Sequence, residues 1–568
     1  MRRVQIDIRQ VDGKAAADLG RALGVSATFG QLLLHRGIQD PATAKSYLEP
    51  RLAELSTPDA MADRTAAAER LAHAVRTGER ITVFGDYDVD GTTSAAVLGG
   101  ILEQLGGQVS VLLASRFDGG YGLSDVAMER VLATSPRVLV TCDCGTSDHP
   151  RLEAARRRGI DCIVVDHHLV PSEPLPVHAF LNPHRPDCGF AYKGLCSAGL
   201  ALSLGAAVRA RLGTQIDLRL WLDLVALGTV ADVAPLDGDN RRLVRAGLAR
   251  LSAADARPGV AALREIAKIS RGMPIGAGDI AFRLAPRLNA AGRLGDPMLS
   301  LALLRAKQPE EARALAAQLE QRNEERKAIE AAVSADALAQ VEALYGGAGC
   351  SPRAGIVVAN EGWHRGVIGI TAARLCDRFG VPAVAIAIED GIGHGSCRGP
   401  EGVRTFDAMT LCAGHFERFG GHQAASGLTI RAERIAAFRE DFGAYTARAE
   451  DDVARAIQHR VDVVVGSEVF ALPTARELLL LEPVGEANRE PVFMLERAKV
   501  EHSSIVGRGH LKLGLRVGEQ QLSAFGLDLG ERLPAKGAVL DLVGALRIDG
   551  YRGDGSLELR VSDFDVSA

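Results

Sequence analysis

The run Ile81-Thr82-Val83-Phe84-Gly85-Asp86-Tyr87-Asp88-Val89-Asp90-Gly91 decides the fold. Its first half is β-branched and apolar, which predicts a buried strand. Gly91 and the stretch Ser94-Ala95-Ala96-Val97-Leu98 predict a turn into a helix. The carboxylates of Asp86, Asp88 and Asp90 therefore fall at the carboxyl end of a strand, where open α/β sheets place their ligands. Packed this closely they repel one another, and a strong positive charge between them would relieve the repulsion. Two other readings compete. Asp-Gly is ordinary turn chemistry, so a solvated acidic turn fits the triplet alone. Asp-x-Asp-x-Asp-Gly also opens a calcium-binding EF-hand loop. That loop needs a glutamate where Val97 stands and a helix where this run has a strand.

Similar segments recur downstream. Val138 to Cys142 is apolar and ends in Asp143, with Gly145 two residues on. Cys162 to Val165 ends in Asp166, His167 and His168. Leu224 to Asp232 is an apolar segment carrying one acid after Gly228, and a charge in such a segment needs a partner. Each has a plain explanation: Asp143 as a helix cap, the histidines as loop residues bonded to backbone, Asp232 paired with an arginine. The first three segments, however, share one order of strand, acid, turn and helix. In a parallel sheet they converge on one edge. That edge would hold Asp86, Asp88, Asp90, Asp143, His167 and, if its segment folds back, Asp232. Carboxylates with one imidazole suit Mn²⁺ or Mg²⁺ better than zinc or copper. One divalent ion cannot neutralise so much charge, so two are the natural count. Two such ions, roughly 3.5–4 Å apart, support in-line phosphoryl displacement by water. The residues thus point to metal-dependent phosphoester hydrolysis.

At 568 residues the length predicts several domains, and 47% apolar residues supply ample cores. No run is long and apolar enough for a membrane span, and the first residues lack a signal-peptide core. Nine cysteines without a Cys-x-x-Cys pair suit a reducing cytoplasm. Cys142 and Cys144 alternate on or beside a strand and offer no zinc geometry. The net charge of −5 lends no support to nucleic-acid binding, so basic residues would have to concentrate in a groove.

The chain divides by pattern. Residues 1–60 predict short helices, and residues 61–305 carry the strand–acid–helix units of a doubly wound parallel sheet. Residues 306–346 predict one long helix, rich in Ala, Glu, Gln, Leu and Arg. Its charge run, Arg322 to Lys327, reads most simply as a solvated face; a rigid strut between two catalytic halves is the functional alternative. Residues 347–455 predict a smaller α/β domain with buried strands near Ala354–Val358 and Pro382–Ile388. Gly393, Gly395, Gly420 and Gly421 would let backbone approach a phosphate, with Arg398 and His422 beside them; plain turns explain the glycines as well. Residues 456–568 hold short alternating strands that fit an antiparallel barrel of OB type, a fold that often binds single strands. Arg508, His510, Lys512 and Arg547 are its basic candidates and Tyr551 its stacking candidate, each equally readable as an ordinary surface residue. Aromatic residues are only 4% of the chain, so binding should rest on phosphates and depend on salt.

Taken in order, Asp86-Tyr87-Asp88-Val89-Asp90-Gly91, Asp143-Cys144-Gly145, Asp166-His167-His168 and Gly228-Thr229-Val230-Ala231-Asp232 resemble the DHH phosphoesterase superfamily. Asn360 to Ile370, Gly393 to Arg398 and Arg418 to His422 resemble the DHH-associated domain, and Ile280 to Arg293 resembles a signature of the RecJ exonucleases. The likeness extends to the N-terminal segment around His35 and Asp40. It implies a 5′→3′ exonuclease that degrades single-stranded DNA to mononucleotides with two divalent cations, Mn²⁺ or Mg²⁺, in repair and recombination. It assigns Asp86, Asp88, Asp90, Asp143, His167 and Asp232 as metal ligands, with Asp143 bridging. His168 would face the scissile phosphate and Asp166 would orient the histidines. Ser396 and Arg398 would form a phosphate-gripping turn, and Arg116 would sit near the 5′ end. A helicase and a single-strand-binding protein are implied partners. Two departures stand out: Cys144 where asparagine is frequent, and Gly399 where a hydroxyl residue often follows the arginine. A DHH phosphodiesterase for short oligonucleotides or cyclic dinucleotides is one alternative function. A non-catalytic replication or repair scaffold is the other.

Overall fold

The computed structural model describes residues 5–270, 272–347, 352, 354–400, 403–422, 425–448, 458–470, 472–507, 509–548 and 556–566. Its first α/β unit is built on an all-parallel sheet in the order Gln108–Leu113, Arg80–Gly85, Val138–Cys142, Asp161–Val165, Ala179–Leu181. The chain leaves Arg80–Gly85 to one side, then crosses back to form Val138–Cys142 on the other. This reversal opens a crevice at the carboxyl ends of those two strands. Gly85, Cys142 and Val165 stand in register there. The next N–H of each strand extends the ladder: Asp86 N to Cys142 O at 3.2 Å, Asp143 N to Val165 O at 3.0 Å, Asp166 N to Leu181 O at 3.0 Å. Register alone therefore sets three acids in one row.

The helix after the triplet, Val89–Gln104, is buried along nearly its whole length. It packs on the sheet and on helices Ser197–Leu212 and Leu222–Ala231. That is why its sequence is apolar and small all round. At Gly100 a Cβ would meet the Trp221 ring at 2.0 Å, so only glycine permits this approach.

Helix Pro309–Tyr345 has 37 residues and, at 1.5 Å each, is about 55 Å long. Ala312, Ala316 and Leu319 lie in the core of the first unit. Val333, Ala337 and Val341 lie in the core of the second. Between them the charge run is not simply solvated: Asn323, Arg326 and Glu330 are buried. Glu330 pairs with Arg326 on its own helix and with Arg374 on helix Ile368–Phe379.

The second unit has a mixed sheet in the order Phe416–His422, Ala425–Arg431, Ile392–Arg398, Ala383–Glu389, Ile356–Asn360. Only the last two strands pair in parallel. The third sheet closes on itself. Strands Phe493–Val506, His510–Val517, Gln520–Gly526, Leu557–Val566 and Val539–Ile548 form a barrel, sealed where the first pairs with the last. Helices Gly13–Leu23 and Ala27–His35 insert Leu19, Phe29, Leu32 and Leu33 into the barrel core beside Phe493 and Leu513. The N-terminal segment also contains a strand, Gln5–Ile8, parallel to Gln458–Val461. Its four residues are too few for periodicity to reveal. Among the described residues no helix is long and apolar enough to cross a membrane.

Candidate metal centre

The row of acids is completed by two helices. Asp88 caps helix Val89–Gln104, its Oδ1 accepting from Gly91 N at 2.9 Å. Asp90, the second residue of that helix, is gripped at the start of helix Ser197–Leu212: Ser197 N donates to its Oδ2 at 2.8 Å and Ala198 N to its Oδ1 at 3.0 Å. Asp232 follows helix Leu222–Ala231, so this segment does fold back to the edge. Gly228 on that helix lies against Asp90; a Cβ there would stand 2.6 Å from Asp90 Oδ1 and 2.5 Å from Thr93 Oγ1.

His167 lies at the centre. Its Nε2 is 3.2 Å from Asp143 Oδ1, 3.6 Å from Asp232 Oδ2 and 4.0 Å from Asp90 Oδ2. Two groups able to hold a cation share it: Asp143 with His167 and His168, and Asp90 with His167 and Asp232. Asp86 lies alongside, buried, with its Oδ1 accepting from Gly122 N at 3.3 Å. Asp166 is held from behind. Its Oδ1 accepts from His167 N at 2.8 Å and from His168 N at 3.2 Å, and is 2.7 Å from His168 Nδ1. A carboxylate so placed fixes both histidines and puts the proton of His168 on Nδ1.

The electrostatics fit a cation cage. Burial, then the charge of Asp88, pushes Asp86 well above the ordinary carboxylate range and Asp90 up to about 6. Burial, then Asp88 and Asp90, raises Asp143 well above it. Burial, then Asp90 and Asp88, pushes Asp232 up to about 9. Asp166 differs: burial raises it, but its bonds with the His168 ring and other donors win and hold it at about 2. Four mutually repelling carboxylates around one imidazole match hard divalent cations, and nothing else in this donor set supplies the missing positive charge.

Across from this row stand arginines. Arg116 lies over the Tyr87 ring at 4.4 Å, and its Nε has no hydrogen-bond partner among the described residues. Arg293, half-buried, donates to Gly366 O at 3.1 Å. Burial, then the charges of Arg116, Arg326 and Arg398, pulls its pKa down to about 10. Arg398 Nη1 bonds Ser396 Oγ at 3.0 Å. Guanidinium groups crowded in this way repel one another, and an anion among them would relieve the repulsion. The structure corrects one detail: Ser396 and Arg398 lie on strand Ile392–Arg398, not in a turn. Gly393 and Gly395 face inward instead, where a Cβ would meet Ile386 at 2.7 Å and Leu428 at 2.8 Å; they make room for apolar packing rather than for phosphate. Gly421 serves a tight hairpin, since a Cβ would lie 2.4 Å from Ala425 O. The side chain of His422 lies outside the described residues.

Both departures find a local reason. The Cys144 thiol is buried in an apolar cluster with Phe84 and Leu139 and contacts Cys142 O at 3.6 Å; burial, then the charges of Asp86, Asp148, Asp166 and Asp143, pushes its pKa up, so it stays a neutral thiol beside the acids. At Gly399 a Cβ would fall 1.7 Å from Thr405 Oγ1, so Thr405 already fills that space.

Family models match the chain in three places: the DHH family N-terminal domain at residues 80–229, the DHHA1 domain at 353–448 and the RecJ OB domain at 461–563. The single-stranded-DNA-specific exonuclease RecJ of Escherichia coli is 36% identical over 518 residues, covering 88% of this chain and 89% of that protein. The chain belongs to the RecJ family. RecJ of Bacillus subtilis is 32% identical over 99% of this chain and 71% of its own length. The crystal structure of RecJ in complex with Mn²⁺ from Thermus thermophilus superposes with a TM-score of 0.83 at 30% identity, over all of this chain and 80% of that one. A Mg²⁺ complex of the same RecJ gives 0.78 at 28% identity, over 100% of this chain and 79% of that one.

Sequence reasoning missed several residues of the centre. Ser197 also donates from Oγ to Asp143 Oδ1 at 3.1 Å. Its only signal is a run of small residues, Ser197-Ala198-Gly199, opening an apolar helix. Arg293 ends the Ile280–Arg293 motif, and the sequence gives no sign that it meets Arg116 and Arg398. Tyr121 touches both Asp143 and His168. In the barrel, Lys512 is paired with Glu558, Arg547 with Glu490 and His510 with Asp528, so each already has an acidic partner. Arg508 and Tyr551 lie outside the described residues.

Proposed function

We propose that this RecJ-family enzyme removes nucleotides from the 5′ end of single-stranded DNA by two-metal phosphodiester hydrolysis. The observation that carries the reading is the facing pair: a row of crowded carboxylates and imidazoles on one wall, unneutralised guanidinium groups on the other. Asp86, Asp88, Asp90, Asp143, His167 and Asp232 would hold the cations, with His167 common to both groups and Asp143 3.2 Å from it. Two bound divalent cations would supply an activated water and offset charge on the leaving oxygen. His168 would donate Nε2–H to a phosphate oxygen as an imidazolium: burial lowers its pKa, but the bond of Nδ1 to Asp166 and that carboxylate's charge win and raise it. Arg398 with Ser396, Arg293 and Arg116 would hold the 5′ end, so that the first linkage meets the acids. His422, which ends strand Phe416–His422 in register with Ala425 and through it with Arg398, would join those arginines. A cleft narrow enough for only one strand would account for rejection of duplex. The barrel would track the strand behind the cleft, and a helicase and a single-strand-binding protein would supply and release it. The eight described cysteines are all free and buried, which fits work in the reducing cytoplasm. The barrel also weighs against a short-oligonucleotide phosphodiesterase, and the filled ligand set against a scaffold.

The test is hydrolysis of a 5′-labelled single strand with Mn²⁺, Mg²⁺ or chelator. Asp143→Ala should lower turnover by about a thousandfold or more, the scale seen when a central catalytic group is lost. Binding to the same oligonucleotide, measured by anisotropy, should fall little. An Asp143→Ala enzyme with full turnover would remove the assignment. Arg398→Ala should cost a 5′-phosphorylated substrate about tenfold or more in kcat/KM, the weight of a charge-assisted bond, and a hydroxyl-ended one much less. Equal losses on both would count against the 5′-end pocket.

A further inference from the structure

Loop Ser115–Ser124 connects the two walls of the cleft. Gly119, Gly120 and Gly122 hold it in left-handed conformations. Those at 119 and 122 are obligatory: a Cβ would meet Ser124 Cβ at 2.3 Å and Asp148 Oδ2 at 2.8 Å. On one side Arg116 joins the guanidinium cluster. Phe117 packs edge-on against His364 at 5.7 Å, and the Arg365 guanidinium stands 4.7 Å over the Phe117 ring. The loop thereby touches the second α/β unit. On the other side Gly122 N reaches Asp86, and Tyr121 reaches deeper.

Tyr121 Oη donates to the carbonyl of Asp143 at 3.0 Å and lies 3.2 Å from His168 Nδ1. Its ring meets the His168 ring edge-on at 5.5 Å. Asp143 has a φ of 63°, a left-handed conformation that costs a non-glycine residue strain unless its surroundings fix it. Val165 O holds its N–H and the Tyr121 hydroxyl holds its C=O. Tyr121 thus pins the backbone that aims the Asp143 carboxylate, while its oxygen and Asp166 bracket the same edge of His168.

We propose that Tyr121 is a positioning residue for hydrolysis, and that its loop carries occupancy of the 5′-end pocket to Asp143 and His168. This rests on the exonuclease reading above. It makes the 5′ phosphate an activator of turnover as well as a handle for binding.

Tyr121→Phe keeps the ring and removes the hydroxyl. The full-length enzyme with Mn²⁺ is assayed on 5′-phosphate and 5′-hydroxyl single strands. On the phosphorylated strand kcat should fall about tenfold or more, the scale of a small misplacement of reacting groups, with KM within about twofold. The kcat advantage of phosphate over hydroxyl ends should shrink while the KM advantage persists. Mn²⁺ affinity, by calorimetry, and melting temperature should hold, separating positioning from a structural loss. Tyr121→Leu, which also removes the ring, should show the same split. An active wild type with unchanged kcat in Tyr121→Phe overturns this inference alone, as does a loss confined to KM. A wild type inert on both strands overturns the exonuclease reading and this inference with it.

Discussion

Asp143 concentrates the residue-scale argument, because its position, backbone and charge each have a separate cause. Register with Cys142 and Val165 places it, Tyr121 and Val165 pin it, and burial among Asp88, Asp90 and Asp232 makes its charge unwelcome without a cation. The same logic sets a pH dependence. In the unfolded chain these carboxylates ionise near pH 3.9. In the folded, metal-free protein Asp90 ionises at about 6 and Asp232 at about 9. Between those limits the native state binds more protons than the unfolded state, so stability falls as pH rises. Cations compete with those protons, so their stabilising effect grows in the same direction. The melting temperature of metal-free protein should fall from pH 5.5 to 9, as read by calorimetry, and the gain on adding Mn²⁺ should widen. Asp232→Asn should flatten the metal-free slope above pH 6. A slope unchanged by that substitution would contradict the assignment of Asp232 to the crowded set. The sequence disclosed these acids because each lies at or just beyond the end of an apolar segment, a strand for Asp86, Asp143 and Asp166 and a helix for Asp232, where a charge is conspicuous. It did not disclose Ser197 or Tyr121, whose roles are backbone and hydroxyl contacts made across the fold. Ser197 stands 54 residues from the Asp143 it bonds, and such contacts leave no local pattern.

At the scale of elements, the long helix was legible as a helix but not as a joint. Composition predicts its length; burial of its polar middle comes from having an α/β unit on each side. Its two ends are anchored in different hydrophobic cores, so the geometry between the acids and the arginines depends on its straightness and on its waist. Glu330 carries that waist, buried and shared between Arg326 and Arg374. Removing that charge leaves the buried Arg326 guanidinium without a carboxylate, which costs up to about 3–5 kcal/mol for a fully buried pair. Glu330→Gln should therefore lower the urea midpoint, followed by tryptophan fluorescence, since Trp363 belongs to the second core. It should also reduce kcat/KM on phosphorylated strands, as the Arg398 wall loses its fixed distance from the acids. A change under about 1 kcal/mol, the worth of an exposed pair, would mean the waist is not structural. The glycines of strand Ile392–Arg398 teach the opposite lesson. Their spacing looked like phosphate chemistry, yet alternation on a strand turns Gly393 and Gly395 inward and leaves Ser396 and Arg398 on the half-exposed side.

The molecule as a whole poses a charge problem, because a net −5 repels a polyanion unless its charges are segregated. They are. The acids are gathered in a recess that bound cations would neutralise, and Arg116, Arg293 and Arg398 face it without carboxylate partners among the described residues. Most surface arginines are already paired with acids, as in Arg547 with Glu490 and Arg532 with Asp563, and add little attraction. Composition gave only the sum, so segregation was invisible until the fold brought residues 116, 293 and 398 together. The N-terminal helices share this invisibility: their partner core, the barrel, is encoded at the other end of the chain. Binding should therefore depend on few phosphates, all in the cleft. For single strands the logarithm of affinity falls with the logarithm of salt at about −0.7 per phosphate contacted, so about four contacts give a slope near −3. Measured by anisotropy with a phosphorylated oligonucleotide in Ca²⁺, which should slow hydrolysis, the wild type should show that slope. Arg398→Ala should make it shallower by about 0.7, one contact. Lys512→Ala, on an ion-paired barrel residue, should leave it unchanged. If the two substitutions were to flatten the slope equally, the barrel surface rather than the arginine wall would be the main phosphate contact, and the cleft would have to be read as a catalytic recess alone.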